Sequence, residues 1–464
     1  MKHRTILCAL LGGLLPSPVM AADPSAFHAL YKVLVETDTS LATGSCTAAA
    51  GKTSAAMLAS GFPAADIHTY ATPDHPKEGG LVAILPGADP RARAVLLVAH
   101  IDVVAAPRAD WKRDPFVLTE DSGYFYGRGV SDNKAMAATL VDTLIRLHAE
   151  GFRARRTIKV ALTCGEETAT AFNGSDYLVN HRRDLIDAGL VLIPSGGAIT
   201  DEHGHKVSLA IQAGEKTQQN YRLQATGTGT HASRPTRDNA IYALAAALVR
   251  LGDLVFPVTL NPTTRLFFER TAATSAPDDA AAIRALLADP GNIAAQATIT
   301  ANTAWNAMLR TTCTATVIET GTQLNTVAPH AAANVNCRLL PGQRLDQVTA
   351  ALAAVAGPTV TLRAIPPMAL PTPSPLVSAE VLGPIEAGAA EQWPGVPIVP
   401  TMLTGATDAR HFNAVGMPAY GLTAFFYDAD GNNVHAPNER ANVAEVYAGR
   451  AFMYQLIRRY GAGQ

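Results

Sequence analysis

The run VLLVAHIDVVAA, residues 95–106, places His100 and Asp102 in an otherwise apolar segment. In an extended chain, side chains two positions apart share a face, so the imidazole and the carboxylate are placed for one to orient the other. Further along, Asp132 stands in YGRGVSDNKA just ahead of a helical pattern, and Glu166 and Glu167 are adjacent in CGEETA. His435 and Glu439 share the loop-like NNVHAPNERANV. Each has an ordinary explanation when taken singly: a hydrogen-bonded pair at a strand end, a helix N-cap, a solvated loop. Adjacent carboxylates near a core, however, are unfavourable unless something positive compensates them, and a bound cation does this. Together these residues offer nitrogen and oxygen ligands suited to zinc or a neighbouring divalent ion, with one glutamate left over as a base. The chemistry that set performs is metal-assisted hydrolysis.

The elements that must position these groups alternate along the chain. Pro24 to Thr37 reads as a helix, followed by the apolar strands GGLVAIL and AVLLVAH, a helix from about Ala135 to His148, and the strands TIKVALT and AGLVLIP. Such alternation predicts an α/β fold, a mainly parallel sheet flanked by helices, whose ligands collect beyond the carboxyl ends of the strands. From about Ala213 the pattern changes to the strands NYRLQATGTG, MLRTTCTATVIE and AAANVNCRLLP with a helix from Asn239 to Leu251. That is an inserted α+β module. A helix at Ser378–Gln392, the strand PIVPTML and a closing helix at Val443–Tyr460 return to the first style. The expected division is 1–21 signal peptide, 22–214 and 365–464 catalytic domain, and 215–364 inserted lid or dimerisation domain.

The chain has 464 residues, 48% hydrophobic and 16% charged, with a net charge of -2. Neither a nucleic-acid surface nor a polybasic membrane patch fits that balance. The start MKHRTILCALLGGLLPSPVMAADPS has the basic, apolar and small-residue order of a secretory signal cleaved near Ala21. An uncleaved anchor is the alternative, and after cleavage no stable membrane span is expected. A periplasmic or secreted chain would then keep Cys46, Cys164, Cys313 and Cys337, an even number in an oxidising compartment. Cys313 and Cys337 lie on strands read as antiparallel neighbours, which predicts a disulfide between them.

Seven segments in this order resemble the M20 metallopeptidases: HID at 100–102, GRGVSDNK at 127–134, GEE at 165–167, GTHASRP at 229–235, NTVAPHAAANVNCRLLPG at 325–342, TDARHF at 407–412 and HAPNE at 435–439. The resemblance covers nearly the whole mature chain. It implies a zinc amidohydrolase, most similar to the carboxypeptidase branch, that cleaves a C-terminal residue from a peptide or an acyl group from an N-acyl amino acid. In that pattern His100 matches a ligand of one zinc, Asp132 the carboxylate bridging two, and Glu167 and His435 the ligands of the other. Asp102 matches the acid that orients His100, and Glu166 the general base. His231 matches an oxyanion-stabilising histidine that often acts across a homodimer interface. Arg338 matches an arginine for the substrate carboxylate, and Asn325 is similar to a position near the same group.

One residue departs from the pattern. Family members place an acid about thirty residues after the glutamate pair, and this chain has Ser195 in VLIPSGGAI. A hydroxyl is a poor zinc ligand beside a carboxylate. One tightly held zinc and a second that is weak or absent are therefore expected, unless Asp201 or Glu202 substitutes. The competing readings are a binding protein whose metal site has decayed and a serine hydrolase. Retained Glu166 and His231 argue against the first, and the missing G-x-S-x-G elbow against the second.

Overall fold

The computed structural model describes residues 23–168, 172–369 and 372–463. The signal reading at 1–21 lies outside them. The helices expected at both ends form as Pro24–Val35, Lys134–Ala149, Ala379–Gln392 and Val443–Ala462. They cover a nine-stranded sheet with strands in the order Ile67–Thr72, His75–Leu85, Ile158–Thr163, Val95–His100, Leu190–Ile193, Ala419–Gly421, Lys206–Glu215 and Ile398–Leu403; Gly197–Thr200 pairs beside Lys206–Glu215. The pairs around Val95–His100 are parallel, as are Leu190–Ile193 with Ala419–Gly421 and Lys206–Glu215 with Ile398–Leu403. Antiparallel pairs close the edge at Ile67–Leu85 and join Ala419–Gly421 to Lys206–Glu215.

The sheet is buried on both faces, and the period of two sorts its residues between two cores. Val95, Leu97 and Ala99 pack with Phe27, Tyr31 and the long helices, while Leu96 and Val98 pack on the other side with Leu178 and Phe412. This is why the strands read as continuous apolar runs. His100 ends such a run at 7% exposure, so a polar ring is delivered to the sheet's carboxyl edge by a strand with no freedom to slip.

A separate four-stranded antiparallel sheet runs in the order Thr312–Glu319, His330–Leu339, Thr217–Thr226, Val360–Ile365, with the helices Ala240–Gly252 and Leu345–Ala356 on one face. Cys313 and Cys337 face each other in register and are bonded, as expected. Sequence reading missed several helices, among them the consecutive Pro262–Thr271, Pro277–Ala288, Ile293–Ala301 and Thr303–Leu309. Start signals were nonetheless present for the first two. Pro262 follows Asn261, whose side chain forms a capping box with Thr264, and Pro277 precedes Asp278 and Asp279. These helices hold their own small core around Phe268 and Ile283. They also touch the large sheet: Thr263 donates to the Ala213 carbonyl and Arg270 to that of Ile398.

The closing helix is tied to Lys134–Ala149 by a buried ion pair, Arg450 to both oxygens of Asp142 at 2.8 and 2.9 Å. Removing one partner leaves the other charge without full compensation in a low-dielectric core. Arg450→Ala is expected to lower unfolding free energy by about 3 to 5 kcal/mol in urea denaturation. A loss below about 1 kcal/mol, the size of a surface pair, would show that Asp142 needs no such partner.

Candidate metal centre

Four loops at the sheet's carboxyl edge bring the predicted residues together. His100 Nε2 lies 3.2 Å from Asp132 Oδ1, and His435 Nε2 lies 3.1 Å from Asp132 Oδ2 and 2.9 Å from Glu167 Oε1. One carboxylate thus joins two imidazoles. Ligand atoms of His100, Glu166 and Glu167 lie within 4.8 Å of one another, and so do those of Asp132, Glu167 and His435. Two imidazoles and three carboxylates in overlapping triads form a donor set that fits a divalent metal.

The electrostatics follow from this crowding. Bonds to Asp132 and Glu167 push the His435 ring up to about 10, against burial. Burial opposes the ionised form of Asp132, but its bonds to His100 and His435 outweigh that and hold its carboxyl below the usual range. Burial, with the nearby charges of Asp408, Glu167 and Asp132, pushes Glu166 up to about 8 despite His100. Without a cation the excess negative charge is carried by protons on the neighbouring groups.

Asp102 divides its work differently from expectation. His100 Nδ1 approaches the Asp102 backbone carbonyl at 3.1 Å and its carboxylate only at 3.7 Å, while Oδ2 of that carboxylate accepts the Glu167 amide at 3.0 Å. The same side chain therefore links the histidine strand to the glutamate loop. The acid that shapes the Asp132 turn is one to which sequence reading gave no role. Glu439, fully buried, accepts from Arg128 at 2.8 Å and from the amides of Gly129, Ser131 and Asp132 at 2.8 to 3.0 Å. Asp408 was missed too, although TDARHF contains it; it accepts from Asn173 and Ser175 beside the glutamate loop. His435 itself has φ 63°, within a loop whose Asn432, Asn433 and Asn438 are also left-handed. Asparagine and histidine both populate that region more readily than most residues.

The remaining candidates stand apart from this cluster. Ser195 bonds Gln212 Oε1; Gln212 Nε2 reaches Glu215 Oε2 at 3.1 Å, which also accepts from the Thr407 amide at 2.6 Å. Asp201 closes its own turn through His203 and His205, and Glu202 is exposed, so neither enters a ligand group among the described residues. His231 is exposed and bonds Ser233, next to Asn325, whose carbonyl accepts the Ala232 amide. Arg338 is half-buried, donates to Asn336, and makes no ion pair among the described residues. Burial and the charge of Arg410 lower its pKa.

The model of Peptidase family M20/M25/M40 matches residues 96–459. The chain belongs to this family. This M20 member is accordingly a metal-dependent hydrolase of amide bonds. It is 27% identical over 393 residues to the N-fatty-acyl-amino acid synthase/hydrolase of Homo sapiens, covering 82% of this chain and 76% of that protein. Its fold is similar to an M20 family metallo-carboxypeptidase from Sulfolobus solfataricus, with TM-score 0.68 and 20% identity over 95% of this chain and 100% of that one. It is also similar to a dinuclear metal binding M20 peptidase from Bacillus subtilis, with TM-score 0.59 and 12% identity over 94% and 99%.

Burial pushes the Glu215 carboxyl from 4.5 up to about 7, against its bonds from Thr407. The folded chain then holds a proton that the unfolded chain releases, so stability falls as pH rises from 4.5 to about 7 and stays lower above. The loss is on the order of 3 kcal/mol. Glu215→Gln cannot ionise, and its melting temperature should lack this component of the pH slope. Parallel curves for variant and wild type across that interval would remove Glu215 as the cause.

Proposed function

We propose that this protein is an exported zinc carboxypeptidase or N-acyl amino acid hydrolase whose substrate carries a free carboxylate. The observation that carries the reading is the Asp132 carboxylate joined to both His100 and His435, with Glu166 alongside. Both the human relative's N-acyl amino acids and a carboxypeptidase's peptides end in such a carboxylate, and Arg338 is an unpaired guanidinium suited to it. Asn325 is assigned a place near the same group. Export is supported by the signal-like start and by two disulfides. Among the described residues no helix is long and apolar enough to cross a membrane.

Asp132, Glu167 and His435 would hold a divalent metal, which when bound would supply Lewis acidity for the scissile carbonyl and lower the pKa of water. Glu166 accepts the proton of the attacking water and returns it to the leaving nitrogen. His231 donates to the developing oxyanion. Because it is exposed and enters no ligand group among the described residues, we assign it to the site of a second copy. The unit at 215–364 would then be the dimerisation domain and the remainder of the mature chain the catalytic domain. Exposed Tyr242 and Val249 on one helix and Val317 and Ile318 on the edge strand are consistent with such a contact.

The hydroxyl of Ser195 is engaged by Gln212, which argues for one firmly held metal. The site shared by Asp132, Glu167 and His435 keeps its ligands, whereas the one at His100 keeps only His100 and the bridging Asp132 and lacks the further acid of the pattern. Metal analysis after dialysis should give one zinc per chain, and Ser195→Glu should add affinity for a second. Two tightly held zincs in the unaltered protein would sink this assignment.

The base assignment is tested separately. Glu166→Gln should retain zinc and fold while kcat drops by about a hundredfold to ten-thousandfold. Near-normal turnover by that variant would exclude Glu166 from proton transfer.

A further inference from the structure

A covalent link ends one residue before the catalytic turn. Cys46 and Cys164, 118 positions apart, form a disulfide with their Cα atoms 6.0 Å apart. Cys46 opens the helix Cys46–Ala59, which is capped by Ser45 and fastened to the sheet edge through Thr47, an acceptor for the Gly79 amide and a donor to the Pro76 carbonyl. Cys164 follows the buried strand Ile158–Thr163 directly. Gly165, Glu166 and Glu167 come next.

Among the described residues the turn has further anchors: the Cys164 carbonyl accepts the Gly174 amide at 2.7 Å, and Glu167 Oε1 meets His435 Nε2 at 2.9 Å. Gly165 has φ 97°, and a Cβ there would sit 1.8 Å from the Phe172 carbonyl oxygen, so the chain reverses sharply against its own return. The Gly165 carbonyl accepts from Asn173 at 3.3 Å and Thr168 at 3.4 Å, both long bonds. The Glu167 amide is held by Asp102, and a carboxylate oxygen of Asp102 lies within 4.8 Å of both bridging sulfurs, all three residues being buried. Asp102 Oδ1 is buried with no hydrogen-bond partner among the described residues. The sulfurs thus lie beside a side chain that connects the His100 strand to the glutamate loop. Replacing both cysteines by alanine would untie the turn and remove the sulfurs from that space.

We propose that the Cys46–Cys164 disulfide is a positioning element of the active site, fixing the turn so that Glu166 and Glu167 stay directed at His100 and His435. This rests on the reading of Glu166 as base and Glu167 as ligand. The Cys313–Cys337 bridge, in the other sheet, serves as the control.

The experiment compares the Cys46→Ala/Cys164→Ala and Cys313→Ala/Cys337→Ala proteins with the unaltered protein, each zinc-loaded and shown to be folded by circular dichroism. In the first, kcat should fall by about tenfold to a hundredfold with KM changed by no more than about twofold, as for misplaced catalytic groups. It should also lose zinc faster on dialysis, and amide hydrogens of residues 164–168 should exchange faster by mass spectrometry. The control should keep the zinc retention and the exchange of the unaltered protein. If the first variant lowers only the melting temperature and leaves kcat, zinc and exchange unchanged, the bridge is a stabilising crosslink and the proposal is wrong. Should alanine prevent folding, Cys46→Ser/Cys164→Ser takes its place, and failure of both to fold overturns the proposal equally. Full activity of Glu166→Gln would instead defeat the base assignment, while zinc retention and exchange would still report on the tether.

Discussion

Three carboxylates, Asp132, Glu166 and Glu167, must share a small volume at the edge of a buried sheet, with Asp102, Asp408 and Glu439 close behind them. Like charges at such separations repel strongly in a partly buried setting, and their arrangement persists only where neighbours supply compensating charge or hydrogen bonds. Each acid here has its own answer. Asp132 has two imidazoles, Glu439 has Arg128 and three amides, Asp408 has Asn173 and Ser175, and Asp102 has the Glu167 amide. Glu166 has no hydrogen bond among the described residues, and burial with the neighbouring carboxylates raises its proton affinity.

Legibility in the sequence followed the range of the interactions. His100 and Asp102 were visible because a strand's period of two is local, and the shared face was correct even though the closest contact runs through a backbone carbonyl. Helix ends carried by Asn239, Pro24 and Val443 were readable for the same reason. The function of Glu439 was not readable, since its partners at Arg128–Asp132 are some three hundred residues away and nothing in HAPNE reveals them. The pairing of Cys46 with Cys164 was hidden likewise, whereas Cys313 and Cys337 are separated by 24 residues and sit on adjoining strands. The four helices between Pro262 and Leu309 were missed although their caps were legible, because apolar periodicity was given more weight than capping.

Ser195 shows what a single departure does when the surrounding network adapts to it. A carboxylate at that position would face Gln212 and, behind it, the buried Glu215, adding a further negative charge to a crowded region. With serine there, the hydroxyl donates to Gln212 Oε1, the Gln212 amide is directed to Glu215, and Glu215 is satisfied on one oxygen by Thr407. The polar chain ends at Glu215, whose Oε1 is buried with no hydrogen-bond partner among the described residues. Restoring the acid alone would set a new charge beside Gln212 Oε1, which can turn its amide toward only one acid at a time. Any second-metal affinity gained by Ser195→Glu therefore competes with the bond from Gln212 to Glu215, and the cation's own charge has to settle that competition.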